Sequence, residues 1–204
     1  MHVQPDLILE NLLMSEGAEE RLIRGIADEE HFRLLLDGVS CLENAGADII
    51  VVPCNTVHSF LPELRRRSSV PILSIIEETA KECSRIKVRR VGILGTSKTI
   101  SDQLHQHALQ EQGIASLLPL EQEQKQVDTV IRAILSNTLT GRETQILRSI
   151  ILDLNSRGAD AIILGCTDLW KVLPQIESSL PLLDTTTILE NATLQVLLEG
   201  IKLC

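Results

Sequence analysis

The sequence has few aromatic residues and a deficit of positive charge. Of its 204 residues only Phe32, Phe60 and Trp170 are aromatic, which excludes stacking on bases or sugars as a main mode of binding. Lys and Arg number 19 against 28 Asp and Glu, for a net charge of -9. Because nucleic-acid affinity depends on clustered cations, this chain is a poor candidate for binding a phosphate backbone.

Long apolar runs and paired cysteines are also missing. No stretch reaches the roughly 18 apolar residues of a membrane span, and the first residues lack the pattern of a secretion signal. The odd number of cysteines and the absence of a Cys-x-x-Cys spacing argue against a disulfide framework and a zinc site. We therefore expect a cytoplasmic protein with reduced thiols and no metal. The cysteines are Cys41, Cys54, Cys83, Cys166 and Cys204.

Short apolar runs alternate with longer segments of helical periodicity, a pattern typical of an α/β protein with parallel strands. Strands are predicted near Leu7–Asn11, Ile49–Pro53, Pro71–Ser74, Arg90–Gly95, Ile114–Leu118, Ala161–Gly165 and Pro181–Asp184. Helices are predicted near Glu29–Ala45, Thr56–Arg67, Ile76–Arg85, Ile100–Gln112, Glu121–Ser136, Arg142–Arg157 and Thr185–Leu203.

An internal repeat is the strongest feature of the chain. Gly46–Leu64 aligns without a gap on Gly158–Ile176, with seven of 19 positions identical. The Gly-Ala-Asp that opens each copy is a common turn before a strand, but that alternative does not explain why each strand is followed by a cysteine. We interpret the repeat as a duplication that gives two similar lobes, with both sulfur atoms on opposite walls of one cleft at the strand ends.

The two repeated cysteines, Cys54 and Cys166, lie between a predicted strand and a predicted helix. Polar residues after them can cap the first helical turn, and the positive end of the helix dipole is expected to lower the pKa of the thiol. One thiolate could remove a proton from a carbon next to a carboxylate while the other thiol delivers one from the opposite face. The alternative for either cysteine alone is a small core residue.

Other candidates carry weaker signals. His58 lies four residues after Cys54, where it either orients the site or carries a proton, but the second copy has Trp170 at the matching position. The turn Gly95–Thr99 offers hydroxyls and amides suited to a carboxylate. His105 and His107 have no neighbouring ligands in sequence that would indicate a metal site.

Four segments together resemble the aspartate/glutamate racemase family: Pro53–His58, Pro71–Thr79, Gly95-Thr96 and Gly165–Leu169. The resemblance implies an α/β fold of two pseudo-symmetric Rossmann-like (flavodoxin-like) lobes with parallel sheets and an active-site cleft between them. It implies amino-acid racemisation without a cofactor, and often a homodimer. We expect residues 1–75 plus 184–204 to form the first lobe and residues 76–183 the second.

The resemblance also implies roles for individual residues. Cys54 and Cys166 resemble the family's acid/base pair, and Thr96 and Thr99 its polar loop residues that close the site. The remaining substrate contacts that it implies are Asn55, Thr56, Thr167 and, for a side-chain carboxylate, Arg21 or Arg24.

Two departures from the family leave alternatives open. The family's first strand and glycine-rich turn are missing, which indicates a start assigned downstream, a truncated gene or an inactive homologue. A counterpart for a second basic residue is also missing, so the substrate is not identified. The rival functions are a related isomerase or decarboxylase that needs one cysteine, and a non-catalytic protein that binds an acidic metabolite.

Overall fold

The structure, a computed structural model, describes residues 6–15, 17–23, 26, 29–172, 176 and 178–200, with only the backbone described for Glu19 and Ile23. The helices are α1 (Ala18–Ile23), α2 (Glu29–Asn44), α3 (Leu61–Arg67), α4 (Ile75–Arg85), α5 (Ser97–Ser101), α6 (Leu104–Glu111), α7 (Glu121–Leu135), α8 (Arg142–Ser156) and α9 (Thr185–Glu199), with 3-10 helices at Thr56–Phe60 and Thr167–Lys171. The strands are β1 (Ile50–Val51), β2 (Ile72–Leu73), β3 (Arg90–Gly95), β4 (Ala115–Leu117), β5 (Ala161–Gly165) and β6 (Leu182–Asp184).

A four-stranded parallel sheet of order β4-β3-β5-β6 organises the second part of the chain. Its central strands β3 and β5 are apolar after Arg90, the first residue of β3, because helices cover both faces of the sheet. Leu164 packs against α7 and α8 on one face, and Ile163 packs against residues of α4 and α6 on the other. At the carboxyl end of this pair Gly95 lies opposite Gly165, where a Cβ on either residue would come within 3.1 Å of a backbone carbonyl oxygen.

A second, two-stranded parallel sheet is formed by β1 and β2. Buried residues of α2 and α3, among them Leu35 and Leu64, pack against Ile50 and Ile72 of this sheet. The helix α9 then packs on α4 through Leu189. Among the described residues, no helix combines the length and the apolar character needed to cross a bilayer. The predicted lobe boundaries stay a prediction.

The duplication predicted from the sequence is visible in the backbone. Gly46 and Gly158 both have positive φ, 84° and 91°, at the turn that leads from a helix into a strand. The same hydrogen bond lies at the equivalent position of each following strand, from Ile50 N to Pro71 O and from Ile162 N to Pro181 O, both 2.9 Å. The two copies therefore share their turn geometry as well as their sequence.

Three sequence-based assignments differ from the structure. Residues 7–11 form no strand, because no neighbouring strand pairs with them, and Leu7 and Leu9 are exposed. The predicted helix 56–67 is a 3-10 helix followed by α3, since Pro62 cannot donate the backbone hydrogen bond that a continuous α-helix requires there. The predicted helix 100–112 is divided into α5 and α6 at Gln103, which adopts a left-handed conformation with φ of 55°.

Candidate active site

The two repeated cysteines line one small cavity. Cys54 follows β1 through Val52 and Pro53, and Cys166 follows β5 directly, so both lie at the carboxyl ends of parallel strands. The cavity between them has a volume of about 70 Å³. Carboxyl ends of strands are where α/β sheets bind ligands, and the structure confirms the predicted convergence of the two thiols.

Most of the other predicted site residues lie around the same cavity. Its lining includes Asn55, Thr56, Thr96 and Thr167 from the prediction and, in addition, Leu22, Ile131, Leu135 and Asp168. The four predicted residues place one amide and three hydroxyls beside the thiols. Such groups can donate hydrogen bonds to a carboxylate and accept them from an ammonium group.

Thr99 lies behind the cavity wall and is not exposed to it. Its side chain is fully buried, and its hydroxyl contacts Thr96 Oγ1 at 3.0 Å and Thr56 Oγ1 at 3.2 Å. Thr56 and Thr96 are themselves 3.1 Å apart, which closes a triangle of hydroxyls. Because Thr56 belongs to the first repeat and the other two follow β3, the triangle joins the two parts of the site.

Asn55 is held by a buried hydrogen-bond network that sequence reasoning did not find. Its amide donates to Thr185 Oγ1 at 3.0 Å, and Thr185 donates to Leu164 O at 2.9 Å. Its carbonyl oxygen lies 2.9 Å from His105 Nε2, which must be the donor because an amide oxygen only accepts. The network therefore links the residue after Cys54 to the strand that ends at Cys166.

Two neutral histidines support the site from behind. His58 donates through Nδ1 to Cys54 O at 2.8 Å and accepts through Nε2 from Ile75 N at 3.2 Å. Burial lowers the pKa of His58 to about 4 and that of His105 to about 3. Since both nitrogens of His58 are engaged with the backbone, the structure favours the orienting role over a direct proton role.

The protonation of Cys166 differs from the sequence-based expectation. Burial raises its pKa to about 12, and negative charge at Asp168 and Cys54 acts in the same direction. Backbone N–H groups of Asp168 and Leu169 oppose that rise but do not overcome it. The expected capping by Asn55 is also wrong, because its side chain makes no capping bond to the short 3-10 helix that follows.

Arg21, the basic residue predicted to contact a substrate carboxylate, pairs with a carboxylate of the chain instead. Arg21 on α1 contacts the Glu30 carboxylate at 2.5 Å and is not among the residues that line the cavity. Arg24 lies outside the described residues, as does Cys204. Within the part of the chain that the structure describes, no group of three acidic, histidine or cysteine side chains is arranged to hold a metal ion.

Residues 4–193 match the protein family described as Asp/Glu/hydantoin racemase. The chain belongs to this family. It is 34% identical over 175 residues to the broad-specificity amino-acid racemase RacX of Bacillus subtilis, covering 86% of this chain and 76% of the relative. It is 29% identical over 155 residues to the glutamate racemase of Aquifex aeolicus, covering 74% of this chain and 58% of the relative.

A solved structure extends the family likeness to the fold. An aspartate racemase homologue from Pyrococcus horikoshii superimposes with a TM-score of 0.76 and 25% identity, over 96% of this chain and 84% of the other. The predicted racemase family and the α/β fold of two lobes with parallel sheets are thereby confirmed.

Proposed function

We propose that this chain is a cofactor-independent amino-acid racemase of the aspartate/glutamate type, with Cys54 and Cys166 as its acid/base pair. The observation that carries the proposal is that both thiols, one from each copy of the repeat, line the same cavity. A single thiol can act on one face of a tetrahedral carbon, so inversion by direct proton transfer needs a group on each face. Family membership supports the same reaction class.

The protonation states that we assign to the two thiols follow from the raised pKa of Cys166. Because the pKa of Cys166 is raised to about 12, its sulfur carries a proton in the resting protein and acts as the acid. Cys54 and Cys166 are both partly exposed, and in this assignment Cys54 loses its proton to solvent and then accepts the α-proton of the substrate. The reaction leaves a Cys54 thiol and a Cys166 thiolate, which is the protonation state that the reverse direction requires.

The polar lining suits the groups that every amino acid shares. The Asn55 amide and the Thr167 hydroxyl can donate hydrogen bonds to the α-carboxylate. The hydroxyls of Thr56 and Thr96 can do so when the substrate replaces the bonds of their triangle with Thr99. Asp168 carries the negative charge that suits an α-ammonium group, and a bound ammonium would lower the pKa of a nearby thiol. Thr99 acts through the hydroxyls that it contacts.

Arg21 as a substrate contact stays a prediction. The homodimer that the family resemblance implies is part of the proposal as well, and light scattering on the purified chain tests it.

Deuterium incorporation at the α-carbon tests the mechanism. The purified chain is incubated in deuterated water with single enantiomers of several amino acids, aspartate and glutamate included, and the α-hydrogen and chirality are followed by NMR and chiral chromatography. Two-base transfer places deuterium in the product enantiomer before the recovered substrate loses its protium. Cys54→Ala and Cys166→Ala should each abolish racemisation, whereas Cys41→Ser, which changes an exposed thiol outside the cavity, should retain it.

Other outcomes identify the rival functions. A reaction that survives the loss of one cysteine would indicate an isomerase or decarboxylase with a single essential thiol. No exchange with any amino acid, together with measurable binding, would indicate a protein that binds a metabolite without turnover.

A further inference from the structure

One part of the cavity wall is apolar. Leu22 on α1 and Ile131 and Leu135 on α7 form this wall, which we call the aliphatic wall. Leu22 and Ile131 are 5% and 1% exposed, and Leu135 packs on the same core cluster as Ile131. A substrate that places its carboxylate and ammonium groups on the polar lining leaves these apolar residues to contact its side chain.

The charges around the cavity do not suit an acidic side chain. Asp168 is the charged residue among the described lining residues. Two described cations close to the cavity face carboxylates of the chain: Arg132 Nε lies 3.1 Å from Glu20, and Lys171 Nζ lies 2.7 Å from Asp168. A substrate carboxylate against the aliphatic wall would be desolvated with no cation among the described lining residues to pair with it.

The size of the cavity sets a second limit, on the length of the substrate side chain. Its volume of about 70 Å³ is well below the roughly 300 Å³ at which pockets for drug-sized ligands begin. A cavity of this size favours a short side chain over a long one.

We infer that the aliphatic wall is a side-chain subsite for small, uncharged aliphatic amino acids such as alanine, 2-aminobutyrate and valine. The inference rests on the proposed function, because it takes the thiols and hydroxyls to hold the amino-acid backbone. It departs from the acidic substrates that the family is named for. Leu22, Ile131 and Leu135 are then specificity-determining residues, and Cys54 and Cys166 set the reaction.

The order of binding affinities tests the inference directly. Calorimetric titration of the full chain with alanine, 2-aminobutyrate, valine, aspartate, glutamate and lysine should give dissociation constants at least about tenfold lower for the first three. Equal or tighter binding of aspartate, glutamate or lysine would overturn the inference, and so would the absence of binding by all six. Racemisation is measured in parallel, so that aliphatic preference without turnover would refute the proposed function and leave the subsite standing.

An introduced cation provides a second test. Leu135 is the last residue of α7 and only partly buried, so Leu135→Arg can place a guanidinium at the edge of the cavity, where positive charge suits the helix end. The ratio of affinities should shift at least about tenfold toward aspartate and glutamate, since an Arg pairs well with a carboxylate. Thr129→Arg, at an exposed position of the same helix, should leave the ratio unchanged, and an equal shift in both variants would contradict the assignment. If Leu135→Arg does not fold, the binding order of the unsubstituted chain decides alone.

Discussion

Two buried histidines should make this protein unusually sensitive to mild acid. The pKa of His58 falls from 6.5 to about 4 and that of His105 from 6.5 to about 3, in both cases because burial disfavours the charged ring. Arg65 acts on His58 in the same direction as burial, Glu77 opposes it, and His58 itself contributes to the shift of His105.

Acid lowers the free energy of unfolding because the unfolded chain takes up protons more readily than the folded protein. Above about pH 6.5 both histidines are neutral in the folded and unfolded states, so their contribution to stability is fully present. As the pH falls, the unfolded chain binds protons that the folded protein excludes, and the free energy of unfolding decreases. At about 1.4 kcal/mol per pKa unit, each histidine removes about 2 kcal/mol between pH 8 and pH 5. The loss levels off as the pH passes through the folded-state pKa values.

Urea denaturation followed by far-UV circular dichroism measures this loss. His58→Gln and His105→Gln should each reduce the decrease between pH 8 and pH 5 by about 2 kcal/mol. Other titrating groups are common to all the proteins, so the comparison isolates each histidine. His107→Gln is the matched control, because His107 lies on the same helix as His105 but is exposed. An identical pH dependence in the unsubstituted chain and in both variants would refute the reasoning.

Three further predictions concern packing and thiol access. Gly165→Ala should lower the free energy of unfolding by about 1–3 kcal/mol, the typical cost of overpacking, because its methyl group would lie 3.1 Å from a backbone carbonyl of β3; an unchanged urea midpoint would show that the strands can separate. Thr99→Val removes one of three mutually bonded hydroxyls and should cost about 1 kcal/mol in the same assay, whereas a gain in stability would mean that the triangle is not formed. Iodoacetamide near pH 8 should modify exposed Cys41 before Cys83 and Cys166, because burial raises the pKa of the latter two to about 12. The pKa of Cys41 is also raised, mainly by its hydrogen bond to Glu10, but its sulfur is open to solvent. Peptide mass spectrometry gives the order, and labelling of Cys166 before Cys41 would contradict the reasoning.

Much of the fold follows from local patterns in the sequence. The run at 161–165 is apolar throughout, as a strand covered on both faces must be, and the observed bounds of β3 and β5 match the prediction. The strand predicted at 7–11 shows the limit of that reasoning. Its apolar residues satisfy the pattern, but a strand also needs a neighbour whose backbone groups face it, and no local pattern states whether one is there.

The site, too, was predictable from the sequence only in part. The repeat by itself determined that two cysteines follow two equivalent strands, and it predicted that both thiols face one cleft. Tertiary structure alone decided that Leu22, Ile131 and Leu135 line the same cavity, because their spacing on the helices is that of any core residue. It also decided that His105 and Thr185 hold Asn55 and that burial raises the pKa of Cys166. Hydrogen-bond partners and the loss of water around a charge depend on which distant segments come together, and residue order does not encode those contacts locally.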